Sequence, residues 1–240
     1  MIHFIWLTQP LSRPFSYINM LAVRAAAKHH GGEIWMWCNE EPKNNPNWFG
    51  MRDLVKLKKA EVPTEIDGVE LGPIQYKADV LRLQILQEHG GIYLDTDSLL
   101  LRSLEPLVGP EFVLARESAD SYAMAPIIAK PGADFIKVWL ERMPEAIKMG
   151  TWASHAVNLP VEIAKYHKCD VRPQEEFFPF DLRHNYLFDD GRADEHAKRM
   201  GDPYALHVYE TYWVGYLDGV NETYMLNRDT LFARLFRELV

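Results

Sequence analysis

The sequence predicts an α/β fold: a mostly parallel central sheet flanked by helices. Three observations carry this. Residues 2–38 read strand, helix, strand, the order of a crossover unit that joins parallel strands. Residues 77–94 read helix, glycine break, short apolar strand. The 240 residues are 48% hydrophobic, enough for one large domain with its own core.

Taken in order, residues 2–7 form the first strand, and Thr8-Gln9-Pro10 ends it. Residues 15–30 form a helix. Ser16 is its N-cap candidate, Ile18, Leu21, Ala22 and Ala25 recur at helical spacing, and Gly31-Gly32 closes it. Residues 33–38 form the second strand, with Ile34, Met36 and Cys38 alternating against Trp35 and Trp37. Residues 39–50, dense in Asn, Pro and Glu, read as a loop. Residues 51–60 fit either a short basic helix or an edge strand, and residues 61–72 are turn-rich.

Residues 77–101 organise the rest. Residues 78–89 lack Gly and Pro and are rich in the good helix formers Leu, Gln and Glu. Gly90-Gly91 stops the helix, and Ile92-Tyr93-Leu94 has the make-up of a short buried strand. On a helical wheel, Lys77, Gln84, Gln87 and Glu88 face one side, and Asp79, Arg82, Leu83 and Leu86 face the other. A charged pair on an inward face is costly unless paired or liganded. Asp79 and Arg82 therefore read either as a buried structural salt bridge or as a pair reaching into a site beside the strand end.

Asp95 and Asp97 follow the strand. If the chain stays extended, residues two apart point to the same side. Two such carboxylates repel, and a hard divalent cation, magnesium or manganese, relieves the repulsion. The carboxyl end of a strand is also where open α/β sheets bind ligands.

Composition excludes several classes. The net charge of −8, without a dense basic run, argues against a nucleic-acid surface and a polybasic membrane anchor. Cys38 and Cys169 have no metal-ligand spacing and read as two free thiols. The opening residues carry neither a basic region nor a long apolar run, so no signal peptide or transmembrane segment is expected. The expectation is a cytoplasmic protein, or else a truncated chain.

A-D-x-x-R at Ala78, Asp79 and Arg82, followed by G-G-I-Y-x-D-x-D from Gly90 to Asp97, resembles the signature of the DXD-containing sugar transferases of glycosyltransferase family 32. That resemblance implies a GT-A-type nucleotide-sugar fold in a single domain, 1–240. Within it, 1–110 would be the donor and metal half and 111–240 the acceptor side. It implies metal-dependent, retaining transfer of a hexose from a nucleotide-diphosphate sugar to a glycan or other hydroxyl acceptor. Asp79, Arg82, Asp95 and Asp97 would be catalytic. Trp6, Thr8, Gln9, Asp79, Arg82, Tyr93, Asp95 and Trp213 would contact the donor. Asp95, Asp97 and His207 would hold Mn2+ or Mg2+. Family breadth favours UDP-sugars over GDP-sugars, and the membrane anchor of the family's eukaryotic Golgi members, not expected here, implies a bacterial, phage or viral type. Trp6 also reads as an ordinary core side chain, and His207 as a core histidine.

The later chain adds to this. Residues 98–104 and 112–115 read as strands, the first leading away from the site. Residues 127–132 resemble a further family segment, but Ala123, Met124 and Ala125 stand where members commonly show an asparagine. Residues 133–148 read as an amphipathic helix kinked or split at Pro144, and 153–166 as a helical stretch interrupted by Pro160. Gly150-Thr151-Trp152 is a vestige of a family T-G-P, and Phe177-Phe178-Pro179 resembles its aromatic-aromatic-proline. His207–Trp213, H-V-Y-E-T-Y-W, resembles the family's H-x-W-x-x-S-W, with Tyr209 and Tyr212 as departures. Residues 204–209 read as a strand and 229–239 as a terminal helix.

Two rivals remain at this level. A haloacid-dehalogenase-like phosphatase also carries an apolar strand followed by D-x-D, but usually on its first strand. A non-catalytic nucleotide- or glycan-binding relic is favoured by the missing asparagine and T-G-P.

Overall fold

The computed structural model describes residues 1–8, 13–151, 153–180 and 186–240. Gln9 and Trp152 lie outside the described residues. The chain opens with β1 (Ile2–Trp6), α1 (Tyr17–His29) and β2 (Ile34–Cys38), and β1 pairs with β2 in parallel. Ser16 caps α1 through a reciprocal box with Asn19. The predicted 39–50 loop contains a short helix, α2 (Pro46–Phe49). Asn45 caps it and Trp48 buries beneath it, signals too local for composition to reveal. Residues 51–60 resolve as an edge strand, β3 (Lys56–Lys59), parallel to β2. The turn-rich stretch is a small hairpin of β4 (Glu65–Ile66) and β5 (Val69–Glu70).

Next come α3 (Ile74–His89), β6 (Gly91–Tyr93) and β7 (Ser98–Leu100). The wheel holds: Asp79, Arg82, Leu83 and Leu86 are buried, while Gln84 and Glu88 are exposed. The predicted 112–115 strand extends to β8 (Phe112–Ser118), which pairs antiparallel with β9 (Ser121–Ala129). Helix α4 (Asp134–Lys148) runs without a break through Pro144, whose ring is buried among Met143 and Ala146. A wide π turn over Ser154–Asn158 leads into α5 (Leu159–Ile163), where Pro160 sits in the first turn and needs no amide partner. The remainder is β10 (Asp170–Arg172), α6 (Ala193–Met200), β11 (Ala205–His207), α7 (Val214–Leu217), α8 (Glu222–Asn227) and α9 (Leu231–Phe236).

Among the described residues, seven strands form the central sheet in the order β10-β8-β9-β6-β1-β2-β3. β9 runs antiparallel to both its neighbours; the other pairings are parallel. Alternation along each strand feeds two cores. Ile2 and Phe4 join α1, α2 and the C-terminal helices on one face. Ile5 and Tyr93 join α3, α4 and α5 on the other. β7 leads away from the site into the core, as expected. It pairs antiparallel with β11, setting Ser98 opposite His207. No helix among the described residues is long and apolar enough to cross a membrane.

Gly90 makes the helix-to-strand corner. Its φ of 63° and ψ of −159° belong to a region that is essentially glycine-only. A Cβ there would meet Pro131 Cδ at 2.5 Å and Ala129 O at 2.9 Å. Gly90→Ala is therefore expected to lower the unfolding free energy by about 2 kcal/mol or more in urea titrations. Gly72→Ala, where nothing lies within 4 Å, serves as the control.

Candidate functional site

The carboxyl ends of β1 and β6 open into a pocket of about 600 Å³, a size ordinary for small-molecule sites. Its walls include Trp6, Asp79, Arg82, Tyr93, Asp95, Asp97 and His207. The sheet places them there, because parallel strands end together on one side.

The network begins at Arg82, which is 6% exposed. Its Nη2 lies 2.9 Å from Asp79 Oδ1, one helical turn back. Its Nη1 donates to Asp95 Oδ1 at 3.1 Å and to the Met124 carbonyl at 2.9 Å. The guanidinium stacks over the Tyr93 ring at 4.5 Å. Both earlier readings of the Asp79/Arg82 pair describe one object: it is buried and paired, and it lines the pocket. Asp79 Oδ2 accepts from the buried His155 Nε2 at 3.0 Å, so both of its oxygens are engaged by the protein. His155 went unmarked in the sequence. The π turn that delivers it carries no sequence signal.

Asp95 and Asp97 do not converge through an extended strand. The chain turns, with the Ser98 amide donating to the Asp95 carbonyl at 2.9 Å, and the turn brings the two side chains together. Each carboxylate is half used. Asp95 Oδ1 accepts from Arg82 and from the Tyr93 hydroxyl at 2.9 Å. Asp97 Oδ2 accepts from the Glu210 amide at 2.9 Å. The other two oxygens face His207: Nε2 lies 3.8 Å from Asp95 Oδ2 and 3.4 Å from Asp97 Oδ1. The three residues offer ligand atoms that all lie within 4.8 Å of one another. Neighbouring ligands of an octahedral ion with bonds of 2.0–2.1 Å sit about 3 Å apart. Two carboxylate oxygens and one imidazole nitrogen therefore suit Mn2+ or Mg2+ in type, and their separations of 3.4 and 3.8 Å would shorten by less than about 1 Å around such an ion. The Tyr209 amide approaches Nδ1 at 3.3 Å. Nδ1 accepts from that amide only when it carries no proton, whereas both the charged ring and a ring ligating through Nε2 carry a proton on Nδ1.

Without the ion, charge is balanced by protons. Burial opposes charge on His207, but Asp97, Asp95 and Glu117 outweigh it and push its pKa up to about 9. Burial also opposes charge on Asp95, but Arg82, His207 and Tyr93 hold its carboxyl well below the usual range. Burial raises the pKa of both Glu117 and Glu210, two pocket carboxyls that sequence reasoning missed. Asn19 was missed as well. Buried on α1, it donates to the Thr96 carbonyl and to Glu210 Oε2, both at 3.0 Å, tying the turn to the late segment.

Other expected donor contacts fall differently. Trp6 lines the pocket, with one edge against Phe15 at 5.0 Å between ring centres. Thr8 bonds instead to Asn39 and Glu40 and does not line the pocket. Trp213 is 4% exposed and packs behind Tyr209 at 5.3 Å, so it backs the wall rather than forming it. Ala123, Met124 and Ala125 do line it, on β9, and Phe178 lies against His207. Cys38 and Cys169 are free thiols; burial raises their pKa to about 11 and about 12.

Two outcomes are expected. Arg82→Met leaves Asp79 and Asp95 without their cation and is expected to destabilise by about 3–5 kcal/mol, read by denaturant titration. His207 is favoured in its charged form when folded, its pKa of about 9 standing above the ordinary value of about 6.5. The stabilisation is full below about pH 6.5 and is lost as pH rises through about 9. Melting temperatures in EDTA should fall across that window, and His207→Gln should flatten the fall. Apparent Mn2+ affinity, measured by titration, should rise with pH over the same range because the ion competes with the His207 proton.

Comparison with known proteins agrees with this geometry. Residues 18–114 match the family model described as a glycosyltransferase sugar-binding region containing DXD motif. The chain is 26% identical, over a 256-residue alignment, to Glucan organizing enzyme 1 of Cryptococcus neoformans var. grubii serotype A (strain H99); the match covers all of this chain and 70% of that protein. The fold is similar to the glycosyltransferase GlyE of Streptococcus pneumoniae TIGR4, with a TM-score of 0.53 at 12% identity, covering 90% of this chain and 59% of that one. The apo form of GlyE gives 0.53 at 11% identity over the same shares. Residues 18–114, which include Asp79, Arg82, Asp95 and Asp97, match the description of a DXD-containing glycosyltransferase sugar-binding region, and the mostly parallel α/β fold is similar to that of a solved glycosyltransferase.

Proposed function

We propose that this protein is a metal-dependent glycosyltransferase that moves a hexose from a nucleotide-diphosphate sugar to a glycan hydroxyl. One observation carries the reading: Asp95 Oδ2, Asp97 Oδ1 and His207 Nε2 converge in a pocket that also presents a buried arginine. A divalent cation held by these atoms supplies positive charge for a diphosphate leaving group.

The chain's own residues divide the remaining work. Arg82 adds a second fixed positive charge on the same wall and, with Asp79, orients sugar hydroxyls. Its hold on Asp95 keeps that carboxylate ionised for ligation. Tyr93 fixes the Asp95 oxygen that does not ligate. Trp6 offers its ring to the nucleobase at the β1 end. Glu117 lines the same pocket, placed to accept a hydrogen bond from a hydroxyl, and burial raises its carboxyl above the ordinary value. Retention of the anomeric configuration follows from the resembled family. UDP-sugars stand ahead of GDP-sugars on the breadth of that family, and a glucan acceptor is suggested by the name of the fungal relative. The early half of the single domain supplies the donor contacts, and the later half supplies His207 and the acceptor wall.

The test is donor hydrolysis with purified protein, Mn2+ or EDTA, and UDP- and GDP-sugars, reading released nucleoside diphosphate. Release from one donor that EDTA stops, and that Asp97→Ala lowers by at least about a hundredfold, is expected. Nucleotide binding without turnover across donors and acceptors would instead support a binding-only relic.

A further inference from the structure

A second concavity, of about 680 Å³, lies away from the metal-ligand cluster. Phe188, Tyr216, Tyr224, Asn221, Asn227 and Arg228 line it. We propose that it is a glycan subsite, which holds a glucan chain some sugars away from the reacting hydroxyl. The proposal rests on the transferase reading for its purpose, and on its own residues for its chemistry.

The floor is an aromatic platform. Tyr216 is 50% exposed, yet its ring is stacked on Phe188 at 5.7 Å with planes 16° apart. Phe188 is braced in turn by Phe232 at 5.3 Å and by Trp213 at 6.0 Å. A half-exposed ring held from below is a flat, rigid surface that loses little side-chain entropy on binding. The C–H face of a pyranose packs on such a ring, and its rim hydroxyls seek amides and guanidinium groups. Asn221, Asn227 and Arg228 stand around the edge, each held by one protein partner: Asn221 Oδ1 by the Tyr224 amide, Asn227 Nδ2 by the Thr223 carbonyl and Arg228 Nη1 by Asp190, which leaves the other donors and acceptors of these side chains for sugar hydroxyls.

Charge selects the ligand class. Arg228 is the cation among these six, and Asp190 lies 3.0 Å from its Nη1. The platform is therefore close to neutral, which suits an uncharged polyol better than a phosphate. The metal pocket, with Arg82 and a cation site, is built for the opposite.

Continuity with the first site gives the direction. Tyr212, 69% exposed, lines the first pocket, and Tyr216, four residues on, lines the second. The Tyr212 amide donates to the Tyr209 carbonyl and the Tyr216 amide to the Trp213 carbonyl, so the stretch is wound in successive turns. Trp213 joins the two turns, so the two tyrosines flank it on either side in the chain. Beneath them Tyr209, Trp213 and Phe188 pack in series. Two exposed tyrosines thus mark a path from the metal pocket to the platform, the layout that an extended acceptor needs.

The test separates the two readings. Calorimetric titration with α- and β-linked glucan oligosaccharides, from disaccharide to hexasaccharide, is run in EDTA without donor. Affinity should rise with length, survive Asp97→Ala, fall by about tenfold in Tyr216→Ala and be retained in Tyr216→Phe. Donor hydrolysis without acceptor should be the same in Tyr216→Ala as in the wild type, while KM for the longest acceptor rises and KM for glucose does not. Wild-type protein that binds none of these glucans, or glucan binding indifferent to Tyr216→Ala in a variant that melts normally, overturns the subsite and leaves the transferase reading untouched. Tyr216-dependent glucan binding in a protein that hydrolyses no donor sinks the transferase reading and keeps the subsite.

Discussion

The structure depends on one buried cation. Arg82 sits on the inner face of α3, where an unpaired guanidinium would be prohibitive. The fold answers with acceptors from three separate elements: Asp79 on the same helix, Asp95 after β6, and the Met124 carbonyl on β9. Helix, central strand and antiparallel neighbour are thereby held in one register around the same group. The arrangement also sets the electrostatics of the pocket, because Arg82 keeps Asp95 ionised against the burial that opposes its charge.

From there the chemistry follows by division of lone pairs. Each carboxylate of the D-x-D turn gives one oxygen to the protein and keeps one for the pocket. The free oxygens and His207 Nε2 are fixed before any ligand arrives, which lowers the ordering cost of assembling a site. The same geometry leaves a metal-free site that stabilises itself with a proton on His207. A cation held at Nε2 would compete with that proton for one position.

Much of the fold was legible in sequence because its signals are local. The β1–α1–β2 unit, the Ser16 cap, the Gly90 corner and the inward Asp79/Arg82 pair follow from periodicity, capping and steric rules. The failures have physical reasons too. The 39–50 loop hid a one-turn helix, because Asn and Pro signal both loops and helix starts. Pro144 did not split α4, which runs from Asp134 to Lys148 with the proline buried. The D-x-D pair was expected to converge through a pleat and converges through a turn. Thr8 and Trp213 were expected at the donor and sit outside the pocket wall.

By itself, the sequence determined the α/β class, the position of the central helix–strand corner and the identity of the two carboxylates with their arginine. These are properties of neighbouring residues, and spacing along the chain fixes them. The family resemblance named His207 as well; how it and the remaining residues join them, only the tertiary structure decided. His207 comes to the turn because β11 pairs with β7, Glu117 because β8 runs past its expected end, and His155 through a π turn. Asn19 reaches Thr96 from α1 across the sheet face. Contacts between distant segments depend on sheet order and packing, which no local pattern records. The pocket is therefore a property of the fold, while the motif at its centre is a property of the chain.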